Sequence, residues 1–198
     1  MIPIMKTDNY INILDKSAKQ YDVFLDEDLG APADYRELLS ILFNAQEQDS
    51  IHLFINCNGG QMDTAIAIIE GLKYTQAETT AVILGACHSA ASMIALFCHN
   101  VAVTDNSYMM IHTASFGSSG STNNVKAHTD FTYKQVEKLL DATYDGFLNK
   151  DELLSVKKGV ELWFDAEEIN KRVAKRLKYL KKQLKKSKDV SCHINTDT

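Results

Sequence analysis

Short apolar segments alternate with segments of helical periodicity along most of this 198-residue chain. Strand patterns lie at residues 21–25, 51–55, 79–84, 101–103 and 108–111. Helical patterns lie at residues 35–46, 62–73, 92–98 and 125–148, and a last one runs from about 166 to 186. A strand-helix-strand order favours a parallel sheet joined by crossover helices. We therefore predict an α/β fold, in which ligand sites collect at the carboxyl ends of the strands.

Composition places the chain among ordinary globular proteins, with 45% hydrophobic and 24% charged residues. No apolar run approaches the roughly 20 residues of a membrane span, and residues 1–15 lack the apolar core of a signal peptide. The cysteines have no metal-ligand spacing; they are Cys57, Cys87, Cys98 and Cys192. We therefore expect a cytoplasmic protein with reduced thiols, no membrane association, no metal and no cofactor.

Positive charge is concentrated near the end of the chain. Residues 171–189 hold ten of the 21 basic residues and one of the 26 acidic ones, which leaves the remainder with a net charge of −14. We predict an acidic domain at 1–170 and a basic helix and polar tail at 171–198. A narrow apolar seam on this helix could pack against an acidic partner, or the helix could bind nucleic acid or only add solubility. It has no interleaved aromatic residues, so we do not expect nucleic acid as a partner.

The turn at residues 87–92 (CHSAAS) offers a candidate nucleophile. Ser92 follows small residues at a predicted helix start, where the helix dipole favours developing negative charge; alternatively it only caps the helix. Ser89 is a rival, although its place earlier in the turn favours a role in the bend. A serine needs a nearby base to become nucleophilic. His112, at the end of the strand at 108–111, is the best placed histidine, unless it is an ordinary core or rim residue.

A pair of glycines, Gly59 and Gly60, follows the strand at 51–55. Glycine permits unusual backbone dihedrals and close approach, so a backbone N–H here could point at an oxyanion. The alternative is a tight strand-to-helix turn.

These segments together resemble the motifs of the Clp-type proteolytic subunit, the serine peptidase partner of ATP-driven unfoldases. The matching segments are residues 55–60 (INCNGG), Gly85 through residues 90–93 (AASM), residues 110–112 (MIH) and residues 163–168 (WFDAEE). The resemblance covers about residues 21–173. It implies the ClpP/crotonase-like fold, a repeated β-β-α superhelix with a protruding handle helix, which the helix at 125–148 would provide.

The resemblance also implies roles for individual residues. Ser92 would be the nucleophile and His112 the general base, while the backbone N–H groups of Gly60 and Met93 would form the oxyanion hole. The third triad position, usually aspartate, is Glu161 here; Asp165 comes too late in the match, and Glu161 could instead be a surface residue. The substrate would lie extended beside a glycine-rich loop, and the implied contacts are Gly59, Phe116, Gly117 and Ser118.

Several departures from the family indicate a divergent member, phage-encoded or accessory. Asn58 replaces a proline, the interval from Ser92 to His112 is shorter than in the cellular enzymes, and the turn before Ser92 is longer. The resemblance still implies a serine endopeptidase that acts on peptides or unfolded proteins inside a homo-oligomeric ring, a heptamer or double ring fed by an AAA+ unfoldase. A catalytically inactive ring subunit and a crotonase-type acyl-thioester enzyme are the alternatives.

Overall fold

A six-stranded sheet organises residues 17–194, the part of the chain that the computed structural model describes. Its strands are β1 (Gln20–Leu25), β2 (Ser50–Cys57), β3 (Glu78–His88), β4 (Asn100–Val103), β5 (Tyr108–Ile111) and β6 (Leu162–Asp165). The helices are α1 (Arg36–Asn44), α2 (Met62–Tyr74), α3 (Ala90–Phe97), α4 (Thr122–Tyr144), α5 (Lys150–Lys157) and α6 (Ala166–Ile194). A short 3-10 turn, Pro32–Tyr35, leads into α1.

The strand order is β1-β2-β3-β5-β6, with β4 pairing beside the first half of β3. All pairs are parallel except β5 and β6, which run antiparallel. The predicted α/β sheet is therefore confirmed. Side chains alternate between the two faces of the sheet along β2. Ile51, Leu53 and Ile55 are fully buried in the core, while His52 and Phe54 between them are partly exposed. Each buried aliphatic side chain of this kind contributes about 1.5–3 kcal/mol of stability.

Helix α3 begins two residues earlier than the sequence indicates. The sequence pattern predicts a start at Ser92, but the helix starts at Ala90, directly after Ser89. Its residues from Ala90 to Leu96 are all buried, because small and aliphatic side chains let the helix lie inside the core. Ser92 is consequently a residue of the first helical turn and not the one at the strand exit.

Helix α4 projects from the core over most of its length. Phe131 and Tyr133 are exposed, and the buried residues all lie from position 136 onward; they are Val136, Leu140, Thr143 and Tyr144. The helix ends four residues before the expected Leu148, because Gly146 has φ +76 and turns the chain.

Helix α6 continues without a break across residue 171, where we placed the domain boundary. Val173 and Arg176 on this helix are buried against the body. Arg172 forms a bidentate ion pair with Glu152 and also binds Glu168. The division at residue 171 stays a prediction, but the first turns of the basic segment pack on the domain. Within residues 17–194, every helix is too short or too polar to cross a membrane.

Three neighbouring strands bring the candidate site together. Strands β2, β3 and β5 are parallel neighbours, so their carboxyl ends meet at one edge of the sheet. Gly59 and Gly60 follow β2, Ser89 follows β3 and His112 follows β5. The sheet topology therefore assembles residues that are far apart in the chain, as expected for this fold class.

Candidate active site

A histidine and a serine meet at the ends of β5 and β3. His112 Nε2 lies 2.8 Å from Ser89 Oγ, across an interval of 23 residues. Both side chains are half-buried. This distance is within the range that proton transfer between a nucleophile and its base requires.

Ser89 has a strained backbone conformation. It has φ 51 and ψ −122, and no other non-glycine residue within residues 17–194 has a positive φ. Its N–H donates to the Met110 carbonyl at 2.8 Å. Its own carbonyl accepts from the N–H groups of Ser92 and Met93. The resulting sharp turn between a strand and a helix holds the Ser89 hydroxyl toward His112, as nucleophile turns do in hydrolases.

Ser92 does not meet His112, so the expected pairing of these two residues is wrong. The Ser92 side chain has no exposed surface. Its Oγ donates to the Ser89 carbonyl at 2.7 Å and lies 2.8 Å from Tyr144 Oη. The reason is the earlier start of α3, which places Ser92 in the helix with its side chain in the core.

The glycine turn after β2 lies directly against Ser89. A Cβ on Gly59, which has φ +103, would lie 2.8 Å from Ser89 Cβ and 3.2 Å from Ala90 N. A Cβ on Gly60, which has φ +137, would collide with the backbone of Leu29. Gly59 and Gly60 therefore both have to be glycine, and their backbone can approach Ser89 because no side chain intervenes.

The backbone N–H groups near Ser89 differ from the expected oxyanion donors, Gly60 and Met93, in one member. Met93 N–H donates to the Ser89 carbonyl at 3.3 Å inside the helix, so it is not available to an oxyanion. Ala90 is the first residue of α3, where an N–H has no intrahelical acceptor. The Leu29 N–H donates to the Gly59 carbonyl, and the Leu29 carbonyl accepts from the Gln61 N–H. The Gly60 N–H takes no part in these two hydrogen bonds.

Glu161 directly precedes β6, and His112 directly follows β5. Ile111 and Leu162 form the last pair of the antiparallel β5–β6 ladder, so Glu161 and His112 are the next residues beyond that pair. The hydrogen bonds between residues 17 and 194 include none between Glu161 and His112, and Glu161 is exposed. Asp165 pairs with Tyr108 and caps α6, further from His112.

A second histidine borders the site. His88 is buried, its ring packs against Tyr108 and Trp163, and its Nε2 has no hydrogen-bond partner. Burial and the nearby His112 lower the pKa of His88, so its ring stays neutral at neutral pH.

An open cleft of about 530 Å³ adjoins these residues. Ser89 and His112 line it together with the glycine turn at Gly60 and the segment after β5 at Ala114 and Ser115. A second pocket of about 560 Å³, between α2 and α4, shares Ala114 and Ser115 with this cleft. The site is therefore accessible, with an apolar recess beside it.

The sequence matches the family described as Clp protease over residues 6–171. The chain belongs to the Clp protease family. Its predicted ClpP/crotonase-like fold is thereby confirmed. A curated relative from Deinococcus radiodurans, the "ATP-dependent Clp protease proteolytic subunit", is 28% identical over 109 residues. That alignment covers 54% of this chain and 52% of the relative, so the chain spans about half the length of the curated relative it matches.

Two departures from the Clp protease family pattern favour Ser89 over Ser92 as the candidate serine. With Ser92 in the nucleophile position, the preceding turn is too long and the interval to His112 too short. Moving the position to Ser89 shortens the turn and lengthens the interval, so one change reduces both departures. The local match of residues 90–93 to the family motif concealed this.

The loop after β5 lies beside the cleft. Phe116 lines the neighbouring apolar pocket and contacts the His128 ring, and Ser118 Oγ lies 3.1 Å from His128 Nδ1. Gly117 has open space around its Cα, since no atom lies within 4 Å of the position that a Cβ would occupy. The loop is thus anchored on α4 through His128, with Gly117 exposed between the two contacts.

Proposed function

We propose that this protein is a serine endopeptidase with Ser89 as the nucleophile and His112 as the general base. The observation that carries the proposal is the 2.8 Å contact between His112 Nε2 and Ser89 Oγ at the strained turn. Membership of the Clp protease family supports peptidase chemistry.

The reaction proceeds by acyl transfer. His112 Nε2 accepts the Ser89 proton as Oγ attacks the carbonyl carbon of the peptide. The protonated imidazole then gives this proton to the leaving nitrogen as the C–N bond breaks, which leaves an ester on Ser89. Water, deprotonated by His112, attacks the ester and releases the second product.

The N–H groups of Ala90 and Gly60 are the oxyanion donors in this proposal. Ala90 follows the nucleophile directly and lies at the positive end of α3, where the helix dipole stabilises negative charge. Gly60 lines the same cleft as Ser89. Donors that are already oriented toward the developing charge lower the barrier without reorganisation.

Glu161 takes the third triad position in this proposal, where it orients His112 through Nδ1. The β5–β6 ladder supports this role, since its last pair, Ile111 and Leu162, directly adjoins the two residues. One more methylene than aspartate lets a carboxylate on a neighbouring backbone reach the ring.

The substrate is an unfolded or extended peptide that lies along the cleft, with Gly59, Phe116, Gly117 and Ser118 beside it. We place this reaction inside a homo-oligomeric ring served by an ATP-dependent unfoldase. The name of the Deinococcus relative supports the unfoldase. An uncovered sheet face with exposed apolar residues supports subunit packing; these residues are Phe24, Leu84, Tyr108 and Trp163.

A fluorophosphonate probe tests the assignment on the full-length protein. Mass spectrometry of the labelled protein should find the adduct on Ser89. Ser89→Ala should lose both the label and the hydrolysis of a fluorogenic peptide, whereas Ser92→Ala should still be labelled at Ser89. An adduct on Ser92, or labelling that survives Ser89→Ala, would contradict the proposal.

The missing contact between Glu161 and His112 favours one alternative, a catalytically inactive ring subunit. Absence of any label in the assembled protein would support that alternative. Coenzyme A binding by calorimetry would instead support an acyl-thioester enzyme, which has no need of the serine-histidine pair.

A further inference from the structure

Two buried hydroxyl groups lie behind Ser89 and have no part in the mechanism above. Ser92 and Tyr144 are both fully buried. Ser92 Oγ lies 2.7 Å from the Ser89 carbonyl oxygen and 2.8 Å from Tyr144 Oη. A carbonyl oxygen only accepts, so the single Ser92 proton is donated to it, and the Tyr144 hydroxyl must then donate to Ser92 Oγ. These groups form a directed hydrogen-bond chain from α4 to Ser89.

The peptide bond after Ser89 links this chain to the proposed oxyanion hole. The carbonyl of Ser89 and the N–H of Ala90 belong to one planar trans peptide group, so they point in opposite directions. The carbonyl points into the first turn of α3, where the N–H groups of Ser92 and Met93 also bind it. Fixing this oxygen therefore aims the Ala90 N–H away from the helix, toward the end of the strand.

We infer that Ser92 and Tyr144 are positioning residues, which aim the Ala90 N–H at the reaction's oxyanion by holding the Ser89 carbonyl. This inference rests on the proposed function. Ser89 has backbone dihedrals outside the favoured regions, so its orientation depends on the groups that bind its carbonyl and N–H. Burial raises the pKa of Tyr144 above its ordinary value, which keeps its hydroxyl protonated and able to donate.

Steady-state kinetics of the full-length protein on a fluorogenic peptide test this role. Ser92→Ala should lower kcat about tenfold with little change in KM, because an oxyanion contact strengthens in the transition state. Tyr144→Phe should lower kcat about threefold, since Ser92 keeps its bond to Ser89 but loses the donor that orients it. In the double variant kcat should equal that of Ser92→Ala, because Tyr144 acts only through Ser92.

Thermal unfolding of the same variants separates positioning from stability. Ser92→Ala leaves the Tyr144 hydroxyl buried without its partner, which is destabilising. The double variant removes that hydroxyl and should melt at a higher temperature than Ser92→Ala, although its kcat is no better. A role in stability alone would make kcat follow the melting temperature.

Thr143→Val is the matched control. It removes a buried hydroxyl from the residue next to Tyr144 on the same helix, and Thr143 Oγ1 has no hydrogen-bond partner. We expect the kcat of this variant to equal that of the wild type.

Unchanged kcat in Ser92→Ala, or additive losses in the double variant, would overturn the inference. So would a loss that is fully explained by fewer active sites, titrated with the fluorophosphonate. If the wild type is not labelled at Ser89, the proposed function fails and this inference fails with it. Labelling at Ser89 combined with unchanged kinetics of Ser92→Ala contradicts this inference alone.

Discussion

Gly59 and Ser89 approach each other so closely that a methyl group on Gly59 would lie 2.8 Å from Ser89 Cβ. Gly59 also has φ +103, a conformation that other L-residues rarely adopt. The turn after β2 can therefore pack against the turn after β3 only because Gly59 has no side chain. This contact sets how closely the turn that carries Gly60 approaches Ser89, the proposed nucleophile.

Gly59→Ala should separate these two turns and lower kcat/KM about 100-fold, since misplacement of about 1 Å can have an effect of that size. Peptide hydrolysis by the purified variant measures the loss. Ser40→Ala, an exposed change on α1 away from the cleft, is the control and should leave kcat/KM as it is. Near-normal activity in Gly59→Ala would show that the contact is not required.

Glu161→Gln should lower kcat about 100-fold with little effect on folding, because a neutral amide stabilises the imidazolium of His112 poorly. Kinetics and thermal unfolding of one preparation check both parts. Glu167→Gln, an exposed change in the first turn of α6, should leave kcat as it is. Equal kinetics in both variants would remove Glu161 from the triad.

Glu152 couples stability to acid pH. Its carboxylate binds Arg172 in bidentate fashion and caps α5 at Asn149, and the Arg172 hydrogen bonds hold the pKa of Glu152 below its ordinary value. A depressed folded-state pKa adds stability above the ordinary value, roughly pH 4.3, and this stability is lost as pH falls through the folded-state pKa.

Glu152→Gln should therefore lower the free energy of unfolding by about 1–2 kcal/mol at pH 7. The difference from the wild type should shrink below about pH 4. Denaturant unfolding across pH 3–7 gives this comparison. Glu70→Gln removes an exposed pair with Lys73 and should change stability by less than about 0.5 kcal/mol at any of these pH values.

Arg176 joins the basic helix to the core. Its guanidinium is buried and donates to the carbonyls of Leu96, near the end of α3, and Asp145, just after α4. Arg176→Ala should destabilise the protein by about 2–4 kcal/mol, because it leaves two carbonyls without a donor and a cavity beside them. Lys175→Ala, at an exposed neighbouring position, should be near neutral in thermal unfolding. Similar melting temperatures for both variants would contradict the structural role.

The sequence predicted those strands and helices in which apolar residues recur with a clear period. The apolar run of β2 and the helical pattern of α2 are both found where they were expected, and the convergence of strand ends followed from the parallel order. Strand β6 has only four residues, Leu162–Asp165, and carries no readable period. The placement of Glu161 near the end of β5 depends on that strand, so only the family resemblance could indicate it.

The choice between Ser89 and Ser92 could not be made from local residue types. Each serine has one alanine neighbour, Ala90 for Ser89 and Ala91 for Ser92, and a positive φ at a non-glycine residue leaves no mark in the sequence. The burial of Arg176 was equally hidden, since ten basic residues in one segment indicate a solvated helix. Carbonyl oxygens contributed by distant helices stabilise this guanidinium, and composition does not record them.

Helix α3 is held at both ends, by the Ser89 turn at its start and by Arg176 near its finish, and its side chains from Ala90 to Leu96 lie in the core. The helix that follows Ser89, a residue that lines the cleft, is therefore fixed at both ends. In the proposed peptidase, accommodation of peptides that differ in bulk would come from the exposed segment at residues 115–121, which begins at the cleft with Ser115 and in which Gly117 and Gly120 allow the chain to bend. Sequence preference in cleavage would then be set by this segment and would change with its length.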